Sequence, residues 1–176
     1  MKEITFRKAR TEELEAVLLL LKEAAGWLQK KGINYWQDWI SPPPHFVDWI
    51  RQGFEQNEFY MVEKDGDVIG CLRLQWQDLV FWGEQEDNAG YIHSFTISRA
   101  LAGQGIGKRV LGLIESHCRQ NGKELLRLDC GVDIKGLRKY YEEYGFKPAG
   151  EVTVLGERLT LYEKRISEQP RHKCRG

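Results

Sequence analysis

The sequence predicts an α/β fold of the α+β kind, a single domain in which about seven short strands are interspersed with about four helices. Three observations carry that reading. The 176 residues are the size of one domain and enough to bury most of the unfolded surface. Hydrophobic residues make up 41% and charged residues 30%, with six tryptophans, a composition that folds. Apolar residues also recur at every second position in some segments and every third or fourth in others, and no internal repeat is visible.

Glu3 to Ala9 alternates Ile4 and Phe6 with polar neighbours and reads as a first strand. Leu14, Val17, Leu18, Leu21, Ala25 and Leu28 then follow at helical spacing behind Thr11-Glu12-Glu13, which predicts a helix over 11–30 ended near Gly32. Ile33 to Pro44 is aromatic and aperiodic, closed by three prolines, and a short helix from His45 to Gln56 follows. Glu58 to Lys64 and Asp67 to Gln77 read as strands joined by an Asp65-Gly66 hairpin turn. After an acidic loop, Gly83 to Asn88, comes a fourth strand from Tyr91 to Ile97. Simple alternation sets Tyr91, His93, Phe95 and Ile97 on one face and Ile92, Ser94 and Thr96 on the other. A helix begins at Ile106, a strand spans Leu125 to Cys130, and a helix carrying Leu137, Tyr140, Tyr141 and Tyr144 ends at Gly145. Phe146 to Ala149 and Val152 to Lys164 are expected to pair as the last strands. The domain is expected to span 1–166, with a polar tail over 167–176.

The 26 basic and 26 acidic residues cancel, which argues against nucleic acid or an anionic membrane as partner and for a small ligand. The charged N-terminus lacks a signal-peptide core, and the longest apolar run, Ala16 to Leu21, is too short to span a bilayer. A cytoplasmic protein is expected. Cysteines at 71, 118, 130 and 174 form no C-x-x-C pair, and histidines at 45, 93, 117 and 172 lack metal-ligand spacing. No metal is expected, and the thiols read as reduced.

Leu101-Ala-Gly-Gln-Gly-Ile-Gly-Lys-Arg-Val-Leu111 puts Gly103, Gly105 and Gly107 where a helix begins. The first amides of a helix lack intrahelical partners and carry partial positive charge, so such a turn suits a phosphate. The dinucleotide pattern fails because Lys108 stands where a third glycine is needed. The Walker pattern fails at Ala102 and Arg109. A plain tight turn is the other reading of the same glycines.

The order strand, glycine turn, helix, strand, helix, and above all the pairing of Ala102-Gly-Gln-Gly-Ile-Gly107 with Tyr141-Glu-Glu-Tyr-Gly-Phe146, resembles the GNAT superfamily of acyl-CoA-dependent N-acetyltransferases. The resemblance covers roughly residues 3–165. It implies a mixed, mostly antiparallel sheet splayed between strands four and five, and acetyl-CoA as co-substrate. The loop of Gly103, Gln104, Gly105, Ile106 and Gly107 would hold the pyrophosphate, with Lys108 or Arg109 adding charge or merely facing solvent. Near the splay, Phe95, Ile97 and Arg99 would meet the pantetheine arm, Ile97 and Arg99 mainly through main-chain groups. Two positions depart from the family pattern: Ala102 replaces the usual Arg or Gln, and Ile134 stands where an Asn is common.

The resemblance also sets Tyr141 where these enzymes carry the tyrosine that protonates the leaving thiolate; packing of a helix face is the alternative. An imidazole titrates near neutral pH, which makes His93 the candidate base, directly or through water, against the alternative of a buried core histidine. Glu84, Glu86 and Asp87 would draw a cationic acceptor or simply be solvated. Tyr35, Trp36 and Trp39, with Tyr91, are expected to wall a pocket for an amine with an apolar or aromatic body. The expected reaction is acetyl transfer to the primary amine of a small molecule, by direct attack in a ternary complex. A non-catalytic acyl-CoA sensor or scaffold and a protein N-terminal or lysine acetyltransferase are the alternatives. Pairing of residues 152–164 with a second copy would make a homodimer; capping within one chain would not.

Overall fold

The computed structural model describes residues 3–166, so Cys174, His172 and the tail expected over 167–176 lie outside the described residues. Eleven main elements follow in order: β1 (Ile4–Lys8), α1 (Leu14–Lys30), α2 (Pro44–Glu55), β2 (Phe59–Lys64), β3 (Asp67–Gln75), β4 (Ala89–Ile97), α3 (Ile106–Gln120), β5 (Leu125–Gly131), α4 (Lys135–Tyr144), β6 (Lys147–Val154) and β7 (Glu157–Arg165). The seven strands form one sheet in the order β1-β2-β3-β4-β5-β7-β6. Every neighbouring pair is antiparallel except β4 and β5, which run parallel.

The pleat divides β2 between two cores. Phe59 and Met61 join Val17, Leu21, Ala25 and Ile50 beneath α1 and α2. Tyr60 and Val62 join Leu72, Leu74, Val110, Leu111 and Ile114 against α3 on the other face. Both sheet faces are therefore covered, which is why β2 and β3 read as nearly continuous apolar runs. Among the described residues no helix is long and apolar enough to cross a membrane. Cys71, Cys118 and Cys130 are free and buried.

Asp65 and Gly66 take positive φ of 54° and 89°, the backbone of the hairpin turn that the dipeptide predicts. The last hairpin departs from expectation. β6 runs through the expected Gly150-Glu151 break to Val154, and the turn falls at Leu155-Gly156, with φ of 50° and 83°. Gly150 instead sits at a register shift, where β6 gains a residue against β7. β7 is hydrogen-bonded on both sides, so the free edge belongs to β6 rather than to the whole of 152–164.

β4 also departs from simple alternation. Arg73 pairs with His93 and Cys71 with Thr96, so Leu72 alone faces both Ser94 and Phe95. Ser94 absorbs the extra residue with φ of 53°. Past this bulge the faces exchange. Phe95 and Ile97 pack on the α3 side with Ile92, while His93 meets Trp49 and Phe81 on the other. The backbone pairing of β4 with β5 covers only Ala89↔Leu125, Gly90↔Leu126 and Tyr91↔Arg127. The sheet thus opens just after Tyr91, earlier than the Phe95–Ile97 position expected.

Candidate active site

The opening between β4 and β5 leads into a cleft of about 1000 Å³. One part of its lining is the turn before α3. Gly105 is the N-cap of that helix in the left-handed region, φ 70°, and Gly103 precedes it at φ 78°. A Cβ at either glycine would meet nothing, so the turn lies open to the cleft. Among the described residues no protein acceptor takes the amides of Gly103 through Lys108. An open turn with free amides at a helix N-terminus suits a pyrophosphate. Gly107 has a different reason, since a Cβ there would overlap the Tyr140 hydroxyl.

Arg99 stands beside this turn with its guanidinium 3.8 Å from the Trp27 ring centroid, and among the described residues its buried Nε has no hydrogen-bond partner. Its own amide is committed, donating to Glu23 Oε1 at 2.8 Å. Arg99 can therefore meet an anionic ligand through its side chain, whereas that main-chain donor is taken. Phe95, Ile97, Ile106 and Lys108 also line the cleft. Gln104 does not, and its Oε1 accepts from Lys64 Nζ at 3.4 Å. The edge of β4 beyond Tyr91 that faces β5 is unpaired, free for an extended ligand to add to it. Open glycines, free amides, the orphaned Arg99 Nε and this edge together fit acetyl-CoA.

Deeper in the cleft, Tyr141 of α4 is 6% exposed, with its ring against Tyr140, Phe146 and Tyr162. Burial, with smaller contributions from Cys130, Tyr35, Tyr140 and Asp129, pushes its hydroxyl well above the ordinary phenol range, so it stays protonated at neutral pH. His93 Nε2 lies 2.8 Å from Asp78 Oδ2, and its Nδ1 lies 3.5 Å from Asp129 Oδ1. Burial works against the imidazolium, but the Asp78 hydrogen bond and the charges of Asp129 and Asp78 outweigh it and Arg73, and His93 titrates above its usual value. Burial pushes the Asp129 carboxyl up to about 6, against the pull of His93 and with help from Asp78 and Glu157.

The outer wall is aromatic. Tyr35, Trp36 and Trp39 line it together with Trp49 and Phe81. Tyr35 stacks on Trp36 with centroids 6.0 Å apart. Trp36 holds φ of 61°, a strained backbone for a bulky residue, and strain of this kind concentrates at functional sites. Tyr91 is elsewhere: it packs with Ala89, Leu125 and Trp82, and its hydroxyl accepts from Arg127 Nη1 at 2.9 Å. Asp87 of the acidic loop is likewise structural, paired with Arg127 at 2.7 Å.

Asp129 and Asp78 escaped the sequence reading. A carboxylate inside the apolar strand Leu125-Leu-Arg-Leu-Asp-Cys130 was a signal, because a buried charge calls for a partner or a task. Asp78 carried none, since only folding brings its loop onto β4.

A profile of the acetyltransferase (GNAT) family matches residues 32–146. YesJ of Bacillus subtilis, an uncharacterized N-acetyltransferase, is 29% identical over 164 residues, covering 90% of this chain and 88% of that one. A GNAT-family acetyltransferase from Listeria monocytogenes shares the fold with a TM-score of 0.75 at 24% identity, over 94% of this chain and 99% of its own. The yncA protein of Salmonella typhimurium, solved with acetyl-CoA, aligns with a TM-score of 0.63 at 16% identity, over 96% of each chain.

Proposed function

This chain belongs to the acetyltransferase (GNAT) family, and from that premise we propose that it transfers an acetyl group from acetyl-CoA to the primary amine of a small molecule by direct attack in a ternary complex. One observation carries the reading: the open glycine turn, the Tyr141 ring and the His93 imidazole all line the same cleft, with aromatic walls beyond them.

Acetyl-CoA supplies the thioester carbonyl. The amides from Gly103 to Lys108, with Arg99 and Lys108, hold its phosphates, and the free edge of β4 receives its arm. Trp36, Trp39, Trp49 and Tyr35 hold the apolar body of the acceptor and keep water from the reacting carbon. His93 takes a proton from the acceptor ammonium, leaving a neutral amine to attack. Tyr141 gives its proton to the departing sulfur, a role suited to a hydroxyl that burial keeps protonated. No cysteine of the described residues is placed as a nucleophile: Cys71, Cys118 and Cys130 are buried with thiols raised by burial, which favours direct attack over an acyl-enzyme.

The test is release of free thiol from acetyl-CoA by the purified protein with a panel of small amines, alongside thermal unfolding with acetyl-CoA, free coenzyme A, ATP and NAD. Amine-dependent thiol release, with stabilisation by the coenzyme A species alone, is expected. Acetyl-CoA binding without transfer to any amine, or transfer to peptide amines only, would overturn it.

A further inference from the structure

Granted that transferase reading, His93 does not stand alone as the base. The β4–β5 register ends at Tyr91↔Arg127. Carried two residues further it sets His93 opposite Asp129, and the side chains keep the contact that the backbones give up, with Nδ1 3.5 Å from Oδ1. On the far side of the ring, Nε2 meets Asp78 Oδ2 at 2.8 Å, and Asp78 Oδ1 accepts from the Phe81 amide at 3.2 Å. The three side chains are 8%, 4% and 11% exposed for His93, Asp78 and Asp129. His93 and Asp129 line the cleft, and Asp78 stands behind them.

An imidazole between two carboxylates has few protonation states. The close contact with Asp78 is satisfied by a proton on Nε2, so the neutral ring presents a bare Nδ1 to a second acceptor, Asp129. Two acceptors facing each other repel until a proton comes between them. We propose that the proton leaving the acceptor ammonium is taken up between His93 Nδ1 and Asp129 Oδ1, which makes Asp129 a second catalytic group and Asp78 the positioning residue that keeps Nε2 protonated.

The surrounding charges bear on how readily this position holds a proton. Asp78 from the β3–β4 loop and Arg73 from β3 face His93 with opposite effect. Glu157 from β7 adds its charge at Asp129. The Tyr35 and Tyr141 hydroxyls stand within electrostatic reach of Asp129. Groups this close share their protons and titrate as one unit. In balance, the ammonium loses one proton to the shared position and its nitrogen bonds to the acetyl carbon as the carbon–sulfur bond breaks. Tyr141 gives its proton to sulfur and recovers one from the nitrogen, and the shared proton then leaves to water.

The test is a ¹⁵N-histidine NMR titration of the whole chain, with His93→Gln assigning the resonance. The neutral His93 ring is expected to carry its proton on Nε2, and Asp129→Asn to lower its apparent pKa by about one unit or more, the shift expected when a carboxylate at this range is lost. Asp78→Asn is expected to abolish the Nε2 preference. A wild-type ring neutral with the proton on Nδ1 would overturn the proposal. So would an unshifted titration in an Asp129→Asn protein that unfolds cooperatively. With a competent amine, the acidic limb of kcat/KM should move to lower pH in Asp129→Asn while KM for acetyl-CoA holds; an unmoved limb counts against it. Failure to find any acetyl acceptor would sink the transferase reading and leave the NMR result to decide this one.

Discussion

The Tyr140 hydroxyl of α4 rests against Gly107 on the first turn of α3, so close that a Cβ there would overlap it. The glycine turn and the helix carrying Tyr141 are therefore in direct contact, and a change at one is felt at the other. Gly107 has ordinary helical φ, so Gly107→Ala carries a favourable helix propensity of about 1 kcal/mol to set against moving the end of a flexible side chain. Global stability should stay within about that range while affinity for acetyl-CoA falls several-fold. Gly107→Ala combined with Tyr140→Phe, which removes the crowding oxygen, should recover most of the affinity. A double-mutant cycle on the acetyl-CoA-induced thermal shift measures the coupling, and simple additivity would refute the contact's role.

Tyr141→Phe removes only a hydroxyl from a ring packed on three others. Stability and acetyl-CoA binding should be nearly unchanged. Turnover should fall by about 10²- to 10⁴-fold, the usual range for a lost general acid. Stopped assays of thiol release, with binding checked by calorimetry, separate the two effects; a wild-type rate would leave Tyr141 a packing residue.

Arg73 supports the aromatic wall of the cleft through Trp49. At 1% exposure its Nε and Nη2 meet Glu58 Oε2 at 2.8 and 2.6 Å, its Nη1 donates to the Trp49 carbonyl at 2.9 Å, and its guanidinium lies 4.2 Å from the Trp49 ring centroid. Arg73→Met leaves Glu58 and that carbonyl without their partner, and should cost about 3 kcal/mol or more in a denaturant melt. KM for the amine should rise further than KM for acetyl-CoA, because the proposed acceptor wall includes Trp49.

What the chain disclosed in advance follows from the range of the forces involved. Asp65-Gly66, the helical spacing of Val17 and Leu21, and the stop at Gly145 are local, and they stand where the pattern puts them. The Ser94 bulge is not local. It depends on how Leu72 on the neighbouring strand meets two residues at once, and it reversed the expected facing of Phe95 and Ile97. Leu155-Gly156 lost to Gly150-Glu151 as a visible turn because Leu carries no turn signal, and its positive φ is imposed by the hairpin. Within the site, the glycine turn and Tyr141, which both line the cleft, stood out in the sequence through a motif. The partners of His93 did not, since Asp78 and Asp129 reach it from other parts of the chain.

Asp129 should make the folded protein less stable than it need be, and pH reveals this. Its carboxyl titrates at about 6 in the folded chain against about 3.9 unfolded, so between those values the folded state holds the proton that the unfolded state has lost. Stability therefore falls as pH rises from about 4 to about 6, and above that the full cost of a buried carboxylate is present. His93 adds a slope of the same sign over a higher range. Its folded pKa is raised, so its contribution is complete below its unfolded value and lost as pH rises through the folded one. Asp129→Asn should unfold at higher temperature than wild type at pH 8, by about 2–4 °C for each kcal/mol relieved. The advantage should shrink as pH falls and vanish below about pH 3, where wild-type Asp129 is neutral in both states. Melting curves of the two proteins across that range decide it. A constant difference at all pH values would mean that Asp129 titrates alike in the folded and unfolded states, and a lower melting temperature for Asn at pH 8 would mean that the carboxylate stabilises the fold.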